Sequence, residues 1–399
     1  MNTIELFDDK NKCCACGSCI NICPKNAIKL EADETGFYYP QIDDQLCIDC
    51  GQCKKICAYQ NDLVDMNVPR KAYAAQTKNT DPKKSASGGV FASIATNFIK
   101  ANGVVYGAAL EERDGKLSCF ITKAQSLKEL GKLLGSKYIH ANMGNVYKSI
   151  KNDLSQGKRV LFSGTPCMVA ALKAFLKNDY QNLFLIDIIC HGVPEETWFQ
   201  KYIETIEKRG NVKIFKYIFR DKKNGWGLHG RYDYIDKNNS KHKKYFLTRE
   251  SSYYYYFLTG SIYRSNCYTC KYACQQRVGD ITIGDYWGIE QEHSEELKSS
   301  NYDLSKGNSC LLVNTLNGEI LLDQFGRDLA TITSTFKKIA KHNEQLNKPS
   351  SACSDRSELL EIYSKLGYKK IDDKFNHKMF VKAKIYKAIY ALKRICKRG

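Results

Sequence analysis

The sequence predicts an α+β protein in three parts: a small cysteine-rich module at residues 1–66, a larger α/β domain at 70–345, and a basic, mostly helical tail at 346–399. Three observations lead there. Cysteines recur with one internal spacing 34 residues apart, from Cys13 to Cys23 and again from Cys47 to Cys57. Beyond a polar, aperiodic stretch around Pro69, apolar runs of strand length alternate with segments of helical spacing. Residues 378–399 carry eight Lys or Arg and no acid.

Composition narrows the chemistry. The 399 residues are 43% hydrophobic and 26% charged, a globular balance with length for two or three domains. No apolar run approaches the roughly 18 residues of a membrane-spanning helix; residues 183–190 come nearest and are broken by Asp187. Residues 1–10 hold acids and no apolar block, so no secretory signal is expected. The 18 cysteines therefore imply metal or redox chemistry in a reducing cytoplasm, not a disulfide scaffold.

In the first module each repeat reads C-x2-C-x2-C-x3-C, and Pro24 closes the first. Three thiolates within seven residues wrap one part of an iron–sulfur cubane, while the fourth, carried off at a helix start, reaches the other cluster. The expected sets are Cys13, Cys16, Cys19 and Cys57 for one cluster, and Cys47, Cys50, Cys53 and Cys23 for the other. Structural zinc is the competing assignment. Zinc usually takes two C-x2-C pairs across a longer span and has no use for an interleaved octet. Cys14 is left over as a bystander thiol. Residues 27–30 and 36–40 read as short extended segments around a turn. The module resembles bacterial two-cluster ferredoxins, with Ala58 where a second proline would stand.

After a linker at 61–70, residues 88–100 are expected to be helical and 104–109 a strand. Residues 159–163 form an apolar run that reaches a turn at Gly164-Thr165-Pro166, 167–177 have helical spacing, and 183–189 read as a second buried strand. That unit implies a parallel pair joined by a right-handed crossover. Residues 211–260, rich in Tyr, Lys and β-formers, suggest an antiparallel extension. In open α/β sheets ligands lie beyond the carboxyl ends of the strands, where Cys167 and Cys190 fall. Cys167 also sits in a first helical turn, which favours thiolate. Cys267 and Cys270 form a C-x2-C pair with Cys274 close behind. Together these offer four or five thiolates for a third metal site. Cys119, Cys310, Cys353 and Cys396 read as ordinary buried cysteines. A nucleophile–base pair at Cys190-His191 is disfavoured, because adjacent side chains seldom face each other.

The formal charge of +18 is uneven: residues 1–65 are −5 and the remainder +23. A basic surface attracts acidic proteins, anionic membranes, phosphorylated compounds or nucleic acid without choosing among them, and solvated lysines serve none of these. In the tail, Val381, Ile385, Ile389, Leu392 and Cys396 form an apolar helical stripe amid lysines and arginines. Such a helix either packs on the domain or lies on a membrane surface.

Seven motifs then occur in order: Ser85-Ala-Ser-Gly-Gly89, Gly135-Ser-Lys-Tyr138, Gly164-Thr-Pro-Cys167, Cys190-His-Gly-Val-Pro194, Phe219-Arg-Asp-Lys222 with Gly225-Trp226, Cys267-Tyr-Thr-Cys270, and Gly279 to Gly288. Over residues 71–290 the chain resembles the family of beta subunits of coenzyme F420 hydrogenases and dehydrogenases, fused behind the ferredoxin module. The resemblance implies a flavin-binding α/β domain holding FAD and a further 4Fe-4S cluster, with electrons passing between clusters and a hydride acceptor. Only a cofactor stable at one and two electrons joins those chemistries, which agrees with a flavin. Carried over, Ser85, Ser87, Gly88 and Gly89 place small side chains and open amides at a helix start for the FAD diphosphate. Lys137 would stabilise a reduced flavin or a phosphate, Thr165 joins the cofactor site, and Arg220 and Lys222 would meet phosphates or an acidic substrate. Trp226 and Trp287 would stack on a ring or fill core. Cys167, Cys190, Cys267 and Cys270 are the expected ligands of the third cluster, with Cys274 and Asp285 as alternatives for the fourth place. The resemblance implies an iron–sulfur flavoprotein oxidoreductase with a ferredoxin-like redox partner and a small-molecule substrate, some relatives belonging with surface-polysaccharide genes. Use of the deazaflavin itself stays open, as does an electron-transfer subunit with no substrate of its own. No nucleic-acid partner is expected.

Overall fold

The computed structural model describes residues 4–79, 85–223, 225–298 and 302–380. The N-terminal module carries one antiparallel hairpin, β1 (Ile28–Ala32) against β2 (Tyr38–Ile42), with Ile28 opposite Ile42. Short helices Ser18–Ile22 and Gln52–Lys55 each start at a glycine in the left-handed region, Gly17 and Gly51. These glycines let the chain turn sharply straight after the first thiols of each repeat.

Eleven further strands follow among the described residues: β3 (Lys71–Thr77), β4 (Val104–Arg113), β5 (Lys116–Ala124), β6 (Val160–Gly164), β7 (Leu183–Ile188), β8 (Lys213–Ile218), β9 (His229–Ile235), β10 (Lys241–Leu247), β11 (Ile281–Asp285), β12 (Ser309–Val313) and β13 (Leu329–Ser334). Eight of them build one sheet in the order β13-β3-β12-β11-β7-β6-β4-β5. β4, β6, β7 and β11 run parallel at its centre, while β3, β5, β12 and β13 are joined antiparallel to their neighbours. The expected strand–helix–strand unit is present as β6, helix Pro166–Leu176 and β7. β8, β9 and β10 form the antiparallel extension as a separate sheet.

Alternation along the central strands sets the layers. Val160, Phe162, Leu183 and Leu185 face one side, with helices Val146–Ser155, Pro166–Leu176 and Glu196–Gly210. Leu161, Phe184 and Ile186 face the other, with helices Val90–Lys100 and Leu316–Phe325. Phe37, Tyr39 and Ala58 of the cysteine-rich module belong to the first of these cores, so module and sheet domain share one apolar interior. Trp198 fixes that union: its indole donates to the Thr35 carbonyl, and its ring stacks on Tyr363 at 4.4 Å.

The tail also joins this core through residue 380. Helix Arg356–Leu366 and the helical backbone at 368–380 bury Leu359, Tyr368, Ile371 and Phe375 against the tyrosine-rich helix Ser252–Leu258. The basic stripe from Val381 to Cys396 lies outside the described residues. No helix among the described residues is long and apolar enough to cross a membrane.

Candidate functional site: a cysteine-lined cavity at the strand ends

Beyond the carboxyl ends of β6, β7 and β11 lies a cavity of about 480 Å³. Its walls follow from topology. β6 delivers Thr165 and Cys167, β7 delivers Cys190 and His191, and β11 delivers Asp285 and Trp287. β3 runs the same way as β11 through antiparallel β12, so the loop after it brings Ser85, Ser87 and Gly89 to the same rim. Cys267 and Cys270, from the turn Ser265–Thr269 and its cap, close the floor.

At the amide-rich end, helix Val90–Lys100 begins at Gly89, whose φ of +84° only glycine adopts without strain and which has no side chain to cap the first turn. Gly88 is packed so closely that a Cβ there would collide with the Ala75 carbonyl oxygen. Its N–H donates to Ser309 Oγ at 2.9 Å, and Ser87 Oγ donates to the Asn308 carbonyl at 2.6 Å. Lys137 donates to the Leu134 carbonyl, and burial lowers its ammonium to about 8. Phe91, Ile121, Leu133 and Met168 supply apolar wall between this end and the cysteines.

At the cysteine end, Cys190, Cys267, Cys270 and Cys167 act on one another electrostatically as a single group. Burial pushes the Cys267 and Cys270 thiols up to about 11 and about 12, so holding them as thiolates calls for a positive partner. Two buried arginines brace this floor. Arg277 pairs with Asp187 of β7 at 2.9 Å and donates to the Tyr272 and Cys274 carbonyls, tying the C-x2-C loop to the strand before Cys190. Arg264 pairs with Glu195, lies 4.7 Å from the Tyr39 ring centre and reaches the Cys13 carbonyl, joining the cavity floor to the first module.

In the module, Cys19 is influenced by Cys16, Cys13 and Cys57 and, least, by Cys53, whereas Cys53 is influenced by Cys50 and Cys23. Cys23, Cys47, Cys50 and Cys53 line one small cavity. That cavity brings together the four cysteines of one of the two sets expected from the spacing. Among the described residues no three His, Cys, Asp or Glu side chains converge as they would around a single metal ion.

Several expected residues sit elsewhere or are otherwise engaged. Lys222 lies off the cavity wall and donates to the Ser87 and Lys306 carbonyls, bracing the glycine loop from behind. Asp285 pairs with Arg220 at 2.7 Å and accepts from the Trp226 indole, so its carboxylate is taken up by cations and donors rather than offered to a cluster. Cys274 turns its thiol to the Lys271 and Gln276 carbonyls. Trp226 and Trp287 stack on each other at 4.7 Å beside Arg220. Cys14, 5% exposed, lines the cavity together with Cys167.

Comparison with known proteins follows this division. Residues 157–337 match the family model for the C terminus of the coenzyme F420 hydrogenase/dehydrogenase beta subunit, and residues 12–61 match a 4Fe-4S dicluster domain. Over the matched part of its larger domain the chain is similar to the beta subunits of coenzyme F420 hydrogenases and dehydrogenases. It is an iron–sulfur electron-transfer protein whose N-terminal ferredoxin domain binds 4Fe-4S. An uncharacterised ferredoxin of Methanocaldococcus jannaschii is 34% identical over 68 residues, 17% of this chain and 87% of that one. One subunit of the F(420)H(2) dehydrogenase from Methanosarcina mazei is 23% identical over 219 residues, covering 52% of this chain and 61% of its own length. The chain thus spans less than two thirds of that relative. A chain of the F420-reducing [NiFe] hydrogenase complex from Methanosarcina barkeri aligns over 80% of this chain and 93% of its own, at 14% identity and a TM-score of 0.38.

Sequence reasoning missed His140, Arg264 and Arg277. The arginines flank the Cys267–Cys270 pair closely, and buried cations beside a thiolate motif were the available signal. His140 stands two residues past the Gly135-Ser-Lys-Tyr138 motif, yet its partner Glu195 is 55 residues away and only folding brings them together.

Proposed function

We propose that this chain is an iron–sulfur flavoprotein oxidoreductase: electrons pass between a ferredoxin-like carrier, two clusters in residues 1–66, a third cluster in the 70–345 domain and FAD, which exchanges hydride with a small molecule. One observation carries the reading. A single cavity, of a size usual for ligands, runs from the Cys167, Cys190, Cys267 and Cys270 quartet to the open amides at Gly89.

The residues fit the groups named. The eight module cysteines stand in two C-x2-C-x2-C-x3-C repeats, and Cys23, Cys47, Cys50 and Cys53 line one small cavity, which suits a multi-atom cage better than zinc. With Asp285 bound to Arg220 and Cys274 turned to carbonyls, Cys167 and Cys190 are the better complement to the C-x2-C pair. The uncapped start of helix Val90–Lys100 suits a diphosphate, and the apolar wall suits a ring system. Bound clusters would supply single electrons and a bound flavin would convert them to hydride chemistry.

The chain's own contribution is placement and charge. Lys137 offers a cation at the amide-rich end, and Thr165 Oγ1 lies 3.2 Å from Cys167 Sγ as a hydrogen-bonding neighbour. Arg220, 4% exposed and neutralised by Asp285, holds Trp287 at the mouth where a substrate would enter. Outside the cavity, Cys50 is exposed beside exposed Leu46 and Ile48, giving a redox partner access to the outer thiolates.

Single-turnover reduction tests the proposal. Reduced ferredoxin mixed anaerobically with the flavin-loaded chain should bleach the flavin, and Cys19→Ala should slow bleaching while flavin content holds. Equal bleaching rates in both proteins would refute the relay, and turnover only when a partner protein is added would favour the electron-transfer subunit.

A further inference from the structure

Cys57-Ala58-Tyr59 ends the second cysteine repeat, and Cys270-Lys271-Tyr272 ends the C-x2-C pair, so each motif carries a tyrosine two residues past its last cysteine. The fold brings these tyrosines together across the boundary between module and sheet domain. Their rings meet edge to face, with centroids 6.0 Å apart. Each phenol donates to the opposite side: Tyr59 Oη to the Asn266 carbonyl at 2.9 Å, and Tyr272 Oη to the Ala58 carbonyl at 2.9 Å. Asn266 immediately precedes Cys267, and Ala58 immediately follows Cys57. Two hydrogen bonds thus run in opposite directions between residues that adjoin a cysteine of each motif. Tyr272, Ala58 and Asn266 are each 3% exposed, and Tyr272 and Asn266 line the cavity.

A second observation gives the junction a direction. The cysteine set that contains Cys57 meets the sheet domain at two further points: the Cys13 carbonyl accepts from Arg264, and the Cys16 carbonyl accepts from Tyr147 at 2.8 Å. In the other set, Cys50 is exposed beside exposed Leu46 and Ile48. One set is therefore inner and the other outer.

Resting on the function proposed above, we infer that Tyr59 and Tyr272 are positioning residues that carry the coupling between the inner cluster site and the Cys267–Cys270 site. Electron exchange between fixed centres weakens steeply with every gap bridged by neither a covalent nor a hydrogen bond. From Cys57 one route runs through Ala58, a hydrogen bond to Tyr272, and two residues back to Cys270. From Cys267 the other runs through Asn266, a hydrogen bond to Tyr59, and two residues back to Cys57. Each route crosses a single non-covalent link. In each transfer the inner cluster loses one electron and the cavity cluster gains it, with the ferredoxin-like carrier as reductant; no proton moves and both phenols stay intact.

The test uses the full chain reconstituted anaerobically with iron and sulfide, as wild type, Tyr59→Phe, Tyr272→Phe, the double variant and Tyr147→Phe. Phenylalanine keeps the ring and removes the O–H donor. Tyr147→Phe removes a bond to the same inner set, but Tyr147 belongs to helix Val146–Ser155 and leads away from the C-x2-C loop. Each protein is mixed with reduced ferredoxin and freeze-quenched for electron paramagnetic resonance, and its cluster potentials are titrated separately. At about twelve iron atoms per chain and unmoved potentials, reduction of the cavity cluster should slow several-fold in Tyr59→Phe and in Tyr272→Phe, and further in the double variant. Tyr147→Phe should keep the wild-type rate. A wild-type rate in the double variant overturns the inference. Equal slowing by Tyr147→Phe overturns it too, since the bonds would then only pack the seam, and so does slowing with displaced potentials, which would be a loss of driving force. A wild type with about eight iron atoms overturns the three-cluster reading itself, and this inference with it.

Discussion

Glu195→Gln should weaken the seam between the ferredoxin module and the sheet domain without changing its shape. Glu195 is 1% exposed and sits among Arg264, His140 and the Tyr38 N–H. Although desolvation opposes its charge, His140 and Arg264 hold the carboxyl down at about 2, against an ordinary 4.5. At about 1.4 kcal/mol per unit, that depression is worth about 3 kcal/mol. Loss of one partner from a buried ion pair costs on the order of 3–5 kcal/mol, the same range. The sign is fixed by linkage. A depressed acid contributes fully above its unfolded value near 4.5, and the contribution fades as pH falls toward 2. Glutamine keeps the acceptor for Tyr38 but leaves the Arg264 guanidinium, 0% exposed, without a counter-charge. Anaerobic urea unfolding at pH 7, followed by tryptophan fluorescence and cluster absorbance, should show about 3 kcal/mol lost. Glu319→Gln, which breaks an exposed pair with Arg70 and Lys71, should unfold like wild type. A Glu195→Gln midpoint equal to that of Glu319→Gln would refute the reasoning.

Two further outcomes follow from the cavity. Cys267→Ala should lose about four iron atoms per chain while Cys274→Ala keeps them all, as read by iron and sulfide assay; equal losses would return Cys274 to the ligand set. Lys137 is cationic below about 8 and neutral above it, so flavin affinity should weaken as pH rises through that value. Lys137→Met should bind weakly at every pH, and a parallel pH profile in both proteins, measured by fluorescence titration, would remove Lys137 from the site.

What the sequence disclosed was local. The cysteine octet was legible because its interleaving is written in spacings of two and three residues, and β6 to β7 because apolar runs alternate with one helical period. The seam was not legible. Trp198 to Thr35, Tyr272 to Ala58 and Arg264 to Cys13 join residues more than 150 positions apart, and none of these side chains differs in type from ordinary core or surface residues. Cys14 illustrates the limit: only the fold brings it to the cavity that Cys167 also lines. Lys222 shows the converse. Its motif is recognisable, but a lysine written beside an arginine gives no sign that it will brace the Ser87 carbonyl. The tail reads as basic and separate because lysines dominate its composition, while the buried stripe of Leu359, Tyr368, Ile371 and Phe375 is spread thinly through it.

The central claim is that one chain carries two clusters in its first module and a third cluster and a flavin at the cavity of the larger domain. Anaerobic purification with quantification of iron, acid-labile sulfide and extracted flavin tests it most directly. The expected result is about twelve iron, about twelve sulfide and about one flavin per chain. About eight iron with no flavin would leave the ferredoxin module standing and contradict the assignment of the cavity.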